Sequence, residues 1–252
     1  MSALNSKHDW TLPRLIAHRG ASIEAPENTL AAIARAADRG AGGVELDVTI
    51  SADGVPVILH DKTLDRTTDG TGPVVTQPYP SLTGLDAGLW FSDEFEGEPL
   101  PTLAAAAALV LDRNLALNLE FKPPTGHDRE TAQQTIAILN ACWPSYGNLL
   151  LSSFSVAALE AAHELAPRWP RGLITGAPPA DWRDIMRSLD CASLHCSASS
   201  VTPSLVDEVH KEGYRLLVWT VNEVPKARKL FALGIDGIIT DDPATMTAEF
   251  GA

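Results

Sequence analysis

The sequence predicts an α/β fold, an eight-stranded parallel β/α (TIM) barrel with a small insertion after the hairpin of the second strand. Two observations lead to this fold class. Short apolar runs alternate with segments of 3.6-residue periodicity along most of the chain. The length of 252 residues also matches the roughly 250 residues that a β/α barrel usually needs. An open, doubly wound sheet has the same alternation of elements and is the alternative architecture.

The first elements predict one β/α unit that opens into a second strand. A strand is predicted at residues 14–17, a helix at 29–39 that ends before Gly40, and a strand at 43–49. The following SADGV carries an Asp-Gly turn signal, and so short a link cannot form a parallel crossover. Residues 55–60 should therefore return antiparallel to the second strand.

The next segment, residues 61–101, is predicted to be a cap-like insertion because Thr, Gly, Pro and Asp give it loop character. Beyond it, helices and strands alternate towards the end of the chain. The predicted helices are 102–112, 128–141, 156–165, 181–189, 203–212 and 225–232, and the predicted strands are 115–121, 149–153, 172–175, 191–196, 215–220 and 237–240. With the first two strands this gives eight barrel strands, in a single domain over residues 1–252.

The charge and the apolar runs restrict the partners. A net charge of −13 disfavours nucleic acid and anionic membranes as main partners, because both would repel such a surface. The longest apolar run, residues 103–111, is too short to cross a bilayer, so no membrane insertion is expected. A small-molecule substrate is therefore the expected partner, and the sequence leaves the oligomeric state open.

The N-terminus and the cysteines predict a cytoplasmic location. The opening residues MSALNSKHDW lack the apolar core of a signal peptide. The three cysteines form no CxxC pair, and their odd number leaves no complete disulfide framework, which fits a reducing compartment.

Acidic residues lie near the ends of two neighbouring predicted strands. Glu45 and Asp47 are two positions apart, so their side chains leave the same face of a strand, and the same holds for Glu120 and Lys122. In a β/α barrel the loops that follow the strands build the active site. Three carboxylates at one mouth repel one another and stay ionised only around a cation. Mg²⁺ or Ca²⁺ suits such oxygen ligands better than zinc does.

Each of these motifs also has a simpler interpretation. Taken alone, ELD at 45–47 is typical of a hairpin strand with one face in solvent, and LEFK at 119–122 is typical of a surface ion pair. Their joint occurrence at two strand ends is what favours a site.

Two histidines follow apolar runs, His18 at the end of the first strand and His60 at the end of the returning strand. Histidine titrates near neutrality, so one can accept a proton while the other donates one, as hydrolysis of a phosphate or acyl bond requires. For a lone histidine, a hydrogen bond to backbone at a strand end is the commoner role. His195, inside the predicted strand ASLHC, fits a substrate contact and a buried core residue equally well.

Other polar and aromatic residues fall at the same strand ends. Arg19 and Lys122 add positive charge where an anionic substrate would meet the metal. Arginine suits bidentate phosphate binding and lysine acts as a point charge, although Lys122 also has the simpler role of neutralising Glu120. Trp219 fits a substrate wall and a core aromatic equally well, and Asp241 follows the last predicted strand.

A series of short motifs has the content and order of one known family. The motifs are HRG, PENT, ELDV, ILHD, LDRTT, LEFK, LLSSF, VWTVN and ITDDP, spread over residues 17–243. Together they resemble the glycerophosphodiester phosphodiesterases, of the bacterial cytosolic type. Between residues 143 and 200 the likeness is looser, apart from LLSSF.

The resemblance implies a metal-dependent barrel enzyme that hydrolyses glycerophosphodiesters to sn-glycerol 3-phosphate and an alcohol. It implies that His18 and His60 are the general acid–base pair, and that residues 61–101 are the small insertion over the site. Its further implied roles are metal binding for Glu45, Asp47 and Glu120, phosphate binding for Arg19 and Lys122, and contact with the glycerol or leaving-group side for Phe154 and Trp219. Gly20 would let the chain turn close to the ligand before Asn28 or Thr29 caps the next helix.

Two other functions fit the same residues. A related lyase would release a cyclic phosphate from a lysophospholipid, but such lyases are usually secreted, which the N-terminus and the cysteines disfavour. A non-catalytic phosphodiester-binding module would not need two placed histidines. The residues leave open the head group, the metal, and whether water or the glycerol 2-hydroxyl attacks phosphorus.

Overall fold

The computed structural model describes residues 11, 13–144 and 148–251, so residues 1–10, on which the expectation about a leader rests, lie outside the described part. The described strands are β1 (Leu15–His18), β2 (Gly43–Ile50), β3 (Pro56–Ile58), β4 (Ala116–Phe121), β5 (Leu149–Ser153), β6 (Arg171–Thr175), β7 (Ser193–Ser197), β8 (Arg215–Trp219) and β9 (Gly237–Thr240). The described helices are α1 (Leu30–Asp38), α2 (Tyr79–Leu82), α3 (Leu103–Asp112), α4 (Asp128–Cys142), α5 (Val156–Leu165), α6 (Trp182–Ser188), α7 (Pro203–Lys211), α8 (Val224–Leu233) and α9 (Pro243–Phe250).

The strands close into a barrel, as predicted. Going round the ring, the order is β1, β9, β8, β7, β6, β5, β4 and β2, and β1 also pairs with β2. All of these pairings are parallel. β3 lies antiparallel on β2, which confirms the predicted hairpin. The open sheet is therefore excluded, and the C-terminal ends of the parallel strands meet at one mouth.

The barrel strands are buried on both faces, because side chains fill the barrel interior and helices cover its outside. Every residue of β2 and of β4 is buried, and the lower interior holds apolar side chains such as Ile16, Leu150 and Leu217. Outside, α3 shows how a helix covers the sheet. It buries residues at helical spacing along one face, and these are Leu103, Ala106, Ala107 and Val110.

The start of α1 explains two residues of the HRG and PENT motifs. Thr29, and not Asn28, is the N-cap, because its hydroxyl accepts a hydrogen bond from the Ala32 amide. Gly20 has a φ of +81°, and a Cβ there would lie 2.6 Å from the backbone carbon of Ala32. Glycine is therefore required for the turn that brings the first loop against α1.

The segment 61–101 lies between β3 and α3 and has more structure than its predicted loop character implied. It contains 3₁₀ helices at Val74–Thr76 and Asp93–Phe95 in addition to α2. Apolar residues from this segment form a small cluster with the end of the β-hairpin. The cluster consists of Val57, Leu59, Leu64, Val74, Leu82, Ala87 and Leu100. Turn-forming residues separate these apolar positions, so the positions show no helical or strand periodicity in the sequence.

A helix outside this segment was also not predicted. α9 follows β9 directly, and the Asp242 carboxylate caps it by accepting a hydrogen bond from the Thr245 amide at 3.0 Å. Pro243 occupies its first turn, where its missing N–H costs nothing. None of the described helices is both long and apolar enough to cross a membrane.

Candidate active site

Strand register brings the acidic residues together at the mouth of the barrel. His18 of β1 lies beside Glu45 of β2, and Asp47 of β2 lies beside Glu120 of β4. A cavity opens at these strand ends. It is lined by His18, Arg19, Glu45, His60, Asn118, Glu120, Lys122, Phe154, Ile174, His195, Trp219 and Ile239. Of the site residues that the sequence predicts, all but Asp47 line this cavity, and Asp47 completes the acidic cluster beside it.

The acidic cluster consists of Glu45, Asp47 and Glu120, all buried, with carboxylate oxygens within 4.8 Å of one another. Burial, followed by the charges of Asp47 and Glu120, raises the pKa of Glu45 well above its ordinary value. Burial and the charge of Asp47 likewise raise the pKa of Glu120 to about 7. Glu45 Oε1 makes no hydrogen bond within the described part of the chain. Such a set of free oxygens and mutually repelling charges fits a hard divalent cation.

Two cationic side chains border the cluster. Lys122 Nζ lies 2.9 Å from Glu120 Oε1 and 3.8 Å from Asp47 Oδ1. Arg19 Nε lies 3.3 Å from Asp47 Oδ2. Burial alone would lower the pKa of each of these two side chains. The neighbouring carboxylates outweigh this effect, and both pKa values lie above their ordinary values. Both side chains therefore remain charged at the cavity wall.

A carboxylate that directly follows β9 holds the His18 ring. His18 Nδ1 lies 2.6 Å from Asp241 Oδ1, and Nε2 lies 4.0 Å from Glu45 Oε2. Asp241 is itself fixed, because its oxygens accept hydrogen bonds from the Ser22 hydroxyl at 3.0 Å and the Asn222 amide at 2.6 Å. Since the carboxylate can only accept, Nδ1 carries the proton and Nε2 remains available to the cavity.

A second carboxylate holds His60 in the same way. His60 Nδ1 lies 2.7 Å from Asp61 Oδ1. Arg66 donates to both oxygens of Asp61, from Nε at 2.7 Å and from Nη2 at 2.9 Å. The hydrogen bond from Arg66 is the main cause of a pKa of Asp61 well below its ordinary range. Burial lowers the pKa of His60 below its ordinary value, which favours the neutral imidazole near pH 7.

Asn28 supports the acidic cluster from the first loop. Its Nδ2 donates to Asp47 Oδ2 at 2.8 Å, and its Oδ1 accepts from the Asp47 amide at 3.1 Å. Its φ of +61° is one that asparagine tolerates better than most residues. In the same loop, the Arg19 amide donates to Glu45 Oε2 at 3.2 Å. The first loop therefore positions two of the three carboxylates.

Two aromatic side chains form another part of the cavity wall. The rings of Phe154 and Trp219 meet edge to face with centroids 5.7 Å apart. Lys122 Nζ lies 5.6 Å from the centroid of the Phe154 ring, and 49% of Phe154 is exposed. An exposed aromatic side chain next to a polar cluster is typical of a ligand-binding wall.

His195 lies in the floor of the cavity. It is buried, its Nε2 lies 2.8 Å from the Ser193 hydroxyl, and burial lowers its pKa to about 3. Gly172 on the next strand makes room for the ring, since a Cβ there would lie 2.6 Å from Nε2. His195 is thus a neutral residue that both belongs to the barrel interior and lines the cavity.

Several residues that support the site had no predicted role in it. They are Ser22, Glu27, Asn28, Asp61, Arg66, Asn118 and Asn222, of which Asn28 was predicted only as a candidate helix cap. Glu27 and Asn28 stand in PENT, Asp61 in ILHD and Arg66 in LDRTT, so the motifs themselves were the available signal.

Comparison with known proteins agrees with this architecture. The model of the glycerophosphoryl diester phosphodiesterase family matches residues 18–245. A glycerophosphodiester phosphodiesterase of Caldanaerobacter subterraneus subsp. tengcongensis is 36% identical over 233 residues, which cover 92% of this chain and 95% of the relative.

Two solved structures extend the comparison. A phosphodiesterase of Oleispira antarctica, determined in complex with its product sn-glycerol-3-phosphate, superposes with a TM-score of 0.93 at 40% identity and covers 96% of this chain and 98% of its own. A glycerophosphodiester phosphodiesterase from Agrobacterium tumefaciens has a TM-score of 0.81 at 29% identity, with 94% of this chain and 100% of its own covered.

The closed β/α barrel and the acids and histidines at its mouth define this protein as a barrel enzyme. The match over residues 18–245, together with the relatives of similar length, shows that the chain belongs to the glycerophosphoryl diester phosphodiesterase family.

Proposed function

We propose that this protein hydrolyses glycerophosphodiesters to sn-glycerol 3-phosphate and an alcohol, with a divalent metal and with His18 and His60 as the acid–base pair. The observation that carries the proposal is that two histidines, each held at Nδ1 by a carboxylate, share one cavity with three buried acidic side chains. The reaction named for the relatives supports the substrate class.

Glu45, Asp47 and Glu120 are the proposed metal ligands. Their oxygens lie within 4.8 Å of one another, and an all-oxygen set of this kind suits Mg²⁺ or Ca²⁺. A bound divalent cation would supply Lewis-acid chemistry, lowering the pKa of a substrate hydroxyl and offsetting negative charge on the phosphate. Asn28 keeps Asp47 oriented for this role through its two hydrogen bonds.

Arg19 and Lys122 are the proposed phosphate-binding residues. Both line the cavity, and both remain charged in a protein whose net charge is −13. An anionic substrate would otherwise be repelled from this acidic surface. Phe154 and Trp219, which also line the cavity, would contact the glycerol or the leaving group.

The two histidines would move the proton. The lowered pKa of His60 favours its neutral form, which suits the residue that accepts the proton of the attacking hydroxyl. His18, doubly protonated with its Nδ1–H held by Asp241, would donate its Nε2 proton to the departing alcohol oxygen and become the neutral Nδ1–H imidazole. The attacking group is water or the glycerol 2-hydroxyl, and both routes use the same two side chains.

The remaining proposals concern organisation and surroundings. Residues 1–252 would form one domain, with 61–101 as a cap-like insertion beside the site. The substrate would be a small molecule, and neither nucleic acid nor membrane insertion is part of the proposal. The proposed location is the cytoplasm, on the cysteine pattern of the sequence.

The test is release of sn-glycerol 3-phosphate from glycerophosphocholine by the purified protein. We expect excess EDTA to abolish release and added Mg²⁺ or Ca²⁺ to restore it. The His18→Ala and His60→Ala variants should each turn over about a hundredfold or more slowly, the usual size of one acid–base contribution. The surface variant His127→Ala is the control, because the exposed His127 side chain pairs with Glu130 and does not line the cavity.

Phosphorus NMR of the product separates the proposal from its alternatives. A cyclic phosphate as the final product would identify a lyase. Binding of glycerophosphodiesters without turnover, with metal present and across several head groups, would identify a binding module.

A further inference from the structure

A chain of alternating charges links the acidic cluster to His60 through the insertion. In order, it consists of Asp47, Arg19, Glu27, Arg66, Asp61 and His60. Each neighbouring pair is in direct contact, at distances from 2.7 to 3.3 Å. Its members come from three parts of the chain: β2 supplies Asp47, the first loop of the barrel supplies Arg19 and Glu27, and residues 60–66 at the end of the hairpin and the start of the insertion supply the rest.

Arg66 is the branch point of this chain. Its Nη1 and Nη2 donate to the two oxygens of Glu27, both at 2.8 Å. Its Nε and Nη2 donate to the two oxygens of Asp61, at 2.7 and 2.9 Å. Only a planar guanidinium grips two carboxylates in this forked manner, and a lysine ammonium cannot do so.

Glu27 continues the chain towards the cavity. Its Oε1 also accepts a hydrogen bond from Arg19 Nη1 at 2.7 Å. Glu27 therefore sits between two arginines, one at the cavity wall and one in the insertion. Burial alone would raise the pKa of Glu27. Hydrogen bonds and charge from Arg66 and Arg19 lower this pKa instead, so Glu27 stays ionised.

The effect of Arg66 on His60 passes through Asp61. Both oxygens of Asp61 are held by Arg66, so the carboxylate has a single orientation, in which Oδ1 faces His60 Nδ1. That hydrogen bond keeps the proton on Nδ1 and leaves Nε2 as the nitrogen available to the cavity. Without Arg66, Asp61 is free to rotate away from the ring.

Stability alone does not account for this arrangement. The Arg66 side chain is 44% exposed, and exposed ion pairs usually contribute little to stability. Arg39, which is 43% exposed, grips Glu24 with a similar fork on the outside of α1. The two arginines thus match in exposure and in their forked geometry. They differ in that Arg39 holds one carboxylate, whereas Arg66 holds two, and one of these contacts a cavity histidine.

Building on the proposed function, we infer that Arg66 is a positioning residue that, with Glu27, docks the insertion on the barrel mouth and holds Asp61 so that His60 presents Nε2 to the substrate phosphodiester. Arg66 does not line the cavity and touches no reacting atom. Its contribution should therefore appear in kcat, with KM changed little.

The first experiment compares Arg66→Ala with the matched variant Arg39→Ala. We expect kcat for glycerophosphocholine to fall about tenfold to a hundredfold in Arg66→Ala, with KM within about twofold, and no change in Arg39→Ala. Both variants should unfold thermally at nearly the same temperature. Arg66→Lys should restore only part of kcat, because an ammonium cannot hold both carboxylates.

Chemical rescue then separates positioning from general damage. The exposed Arg66 site is open to solvent, so millimolar guanidinium should restore part of kcat in Arg66→Ala. The same additive should leave wild type and His60→Ala unchanged. A failure of rescue combined with a lowered unfolding temperature would show a merely structural role and overturn the inference.

Nitrogen NMR tests the inference without relying on turnover. In ¹⁵N-histidine-labelled protein, His60 should be the Nδ1–H tautomer in wild type and a mixture of tautomers in Arg66→Ala, with the His60→Gln spectrum providing the assignment. An unchanged tautomer in Arg66→Ala would overturn the inference even if the enzyme proves active. A shifted tautomer in a protein without phosphodiesterase activity would support the positioning and refute the proposed function alone.

Discussion

His18 and Asp241 are 223 positions apart in the sequence, and His18 Nδ1 lies 2.6 Å from Asp241 Oδ1. The pair forms because closure of the barrel makes β1 and β9 neighbours. Burial alone would raise the pKa of Asp241, but hydrogen bonds from His18, Asn222 and Ser22 lower it to about 2. Asp241 therefore stays ionised and fixes the His18 ring with Nε2 towards the cavity.

Replacing Asp241 with asparagine should impair catalysis without unfolding the barrel. The amide can present its NH₂ to His18 Nδ1 and so favour the wrong tautomer, and we expect kcat to fall about a hundredfold or more. Steady-state kinetics with glycerophosphocholine measures this. The control is Asp236→Asn. Asp236 Oδ2 lies 2.9 Å from His210 Nε2, and neither residue lines the cavity. Equal kinetics in the two variants would contradict a role for Asp241 in holding His18.

Metal binding should stabilise the wild-type fold. A ligand that binds only the folded state raises its stability by about 2.7 kcal/mol at one hundred times its dissociation constant. We therefore expect saturating Mg²⁺ or Ca²⁺ to raise the unfolding temperature of wild type by several degrees. Glu45→Gln should lose this response, while Glu24→Gln, which alters only the surface pairing with Arg39 and Arg35, should keep it. Calorimetric unfolding scans with EDTA and with metal give the comparison.

Metal binding should also release protons near neutral pH. In the metal-free protein the pKa of Glu120 is about 7, and that of Glu45 is raised as well, so part of the cluster is protonated at pH 6.5. A cation needs the ionised carboxylates, so its affinity should rise as pH increases from 6 to 8. Titration calorimetry at pH 6.5 in two buffers with different ionisation enthalpies counts the protons. If no protons were released, the cluster would already be ionised before the metal binds.

Much of the fold follows from local patterns. Residues such as Leu103, Ala106 and Val110 repeat at helical spacing, and the Asp53-Gly54 turn leaves no length for a parallel crossover. The structure confirms the barrel and the hairpin for these reasons. α9 escaped prediction because it buries little apolar surface and depends on its Asp242 cap and Pro243.

The residues of the site also fall into those that the sequence predicts and those that it does not. Glu45, Asp47 and Glu120 could be found from the sequence because they end neighbouring strands of a barrel whose alternation is visible. The partners of these residues could not, because they depend on which loops the closed barrel brings together. Asn28 illustrates this, since in sequence it is a candidate helix cap and in the structure its side chain holds Asp47. The metal, acid–base and phosphate roles of the site residues stay predictions.

His195 should make the protein sensitive to acid. Its pKa is about 3 in the folded state because the ring is buried, whereas an unfolded histidine titrates near 6.5. The unfolded state therefore binds more protons between these values, so the stability that a neutral His195 contributes is complete above about pH 6.5 and is lost as the pH falls below it. The loss from this one residue is about 1.4 kcal/mol between pH 7.5 and 5.5.

Urea unfolding at the two pH values should show a smaller decrease in stability for His195→Gln than for wild type, by about that amount. Glutamine keeps a polar group near the Ser193 hydroxyl, and the exposed His127→Gln variant should match wild type. If His195→Gln lost as much stability as wild type over this interval, a proton would already reach the ring in the folded protein, and the cavity floor would be more open than the structure indicates.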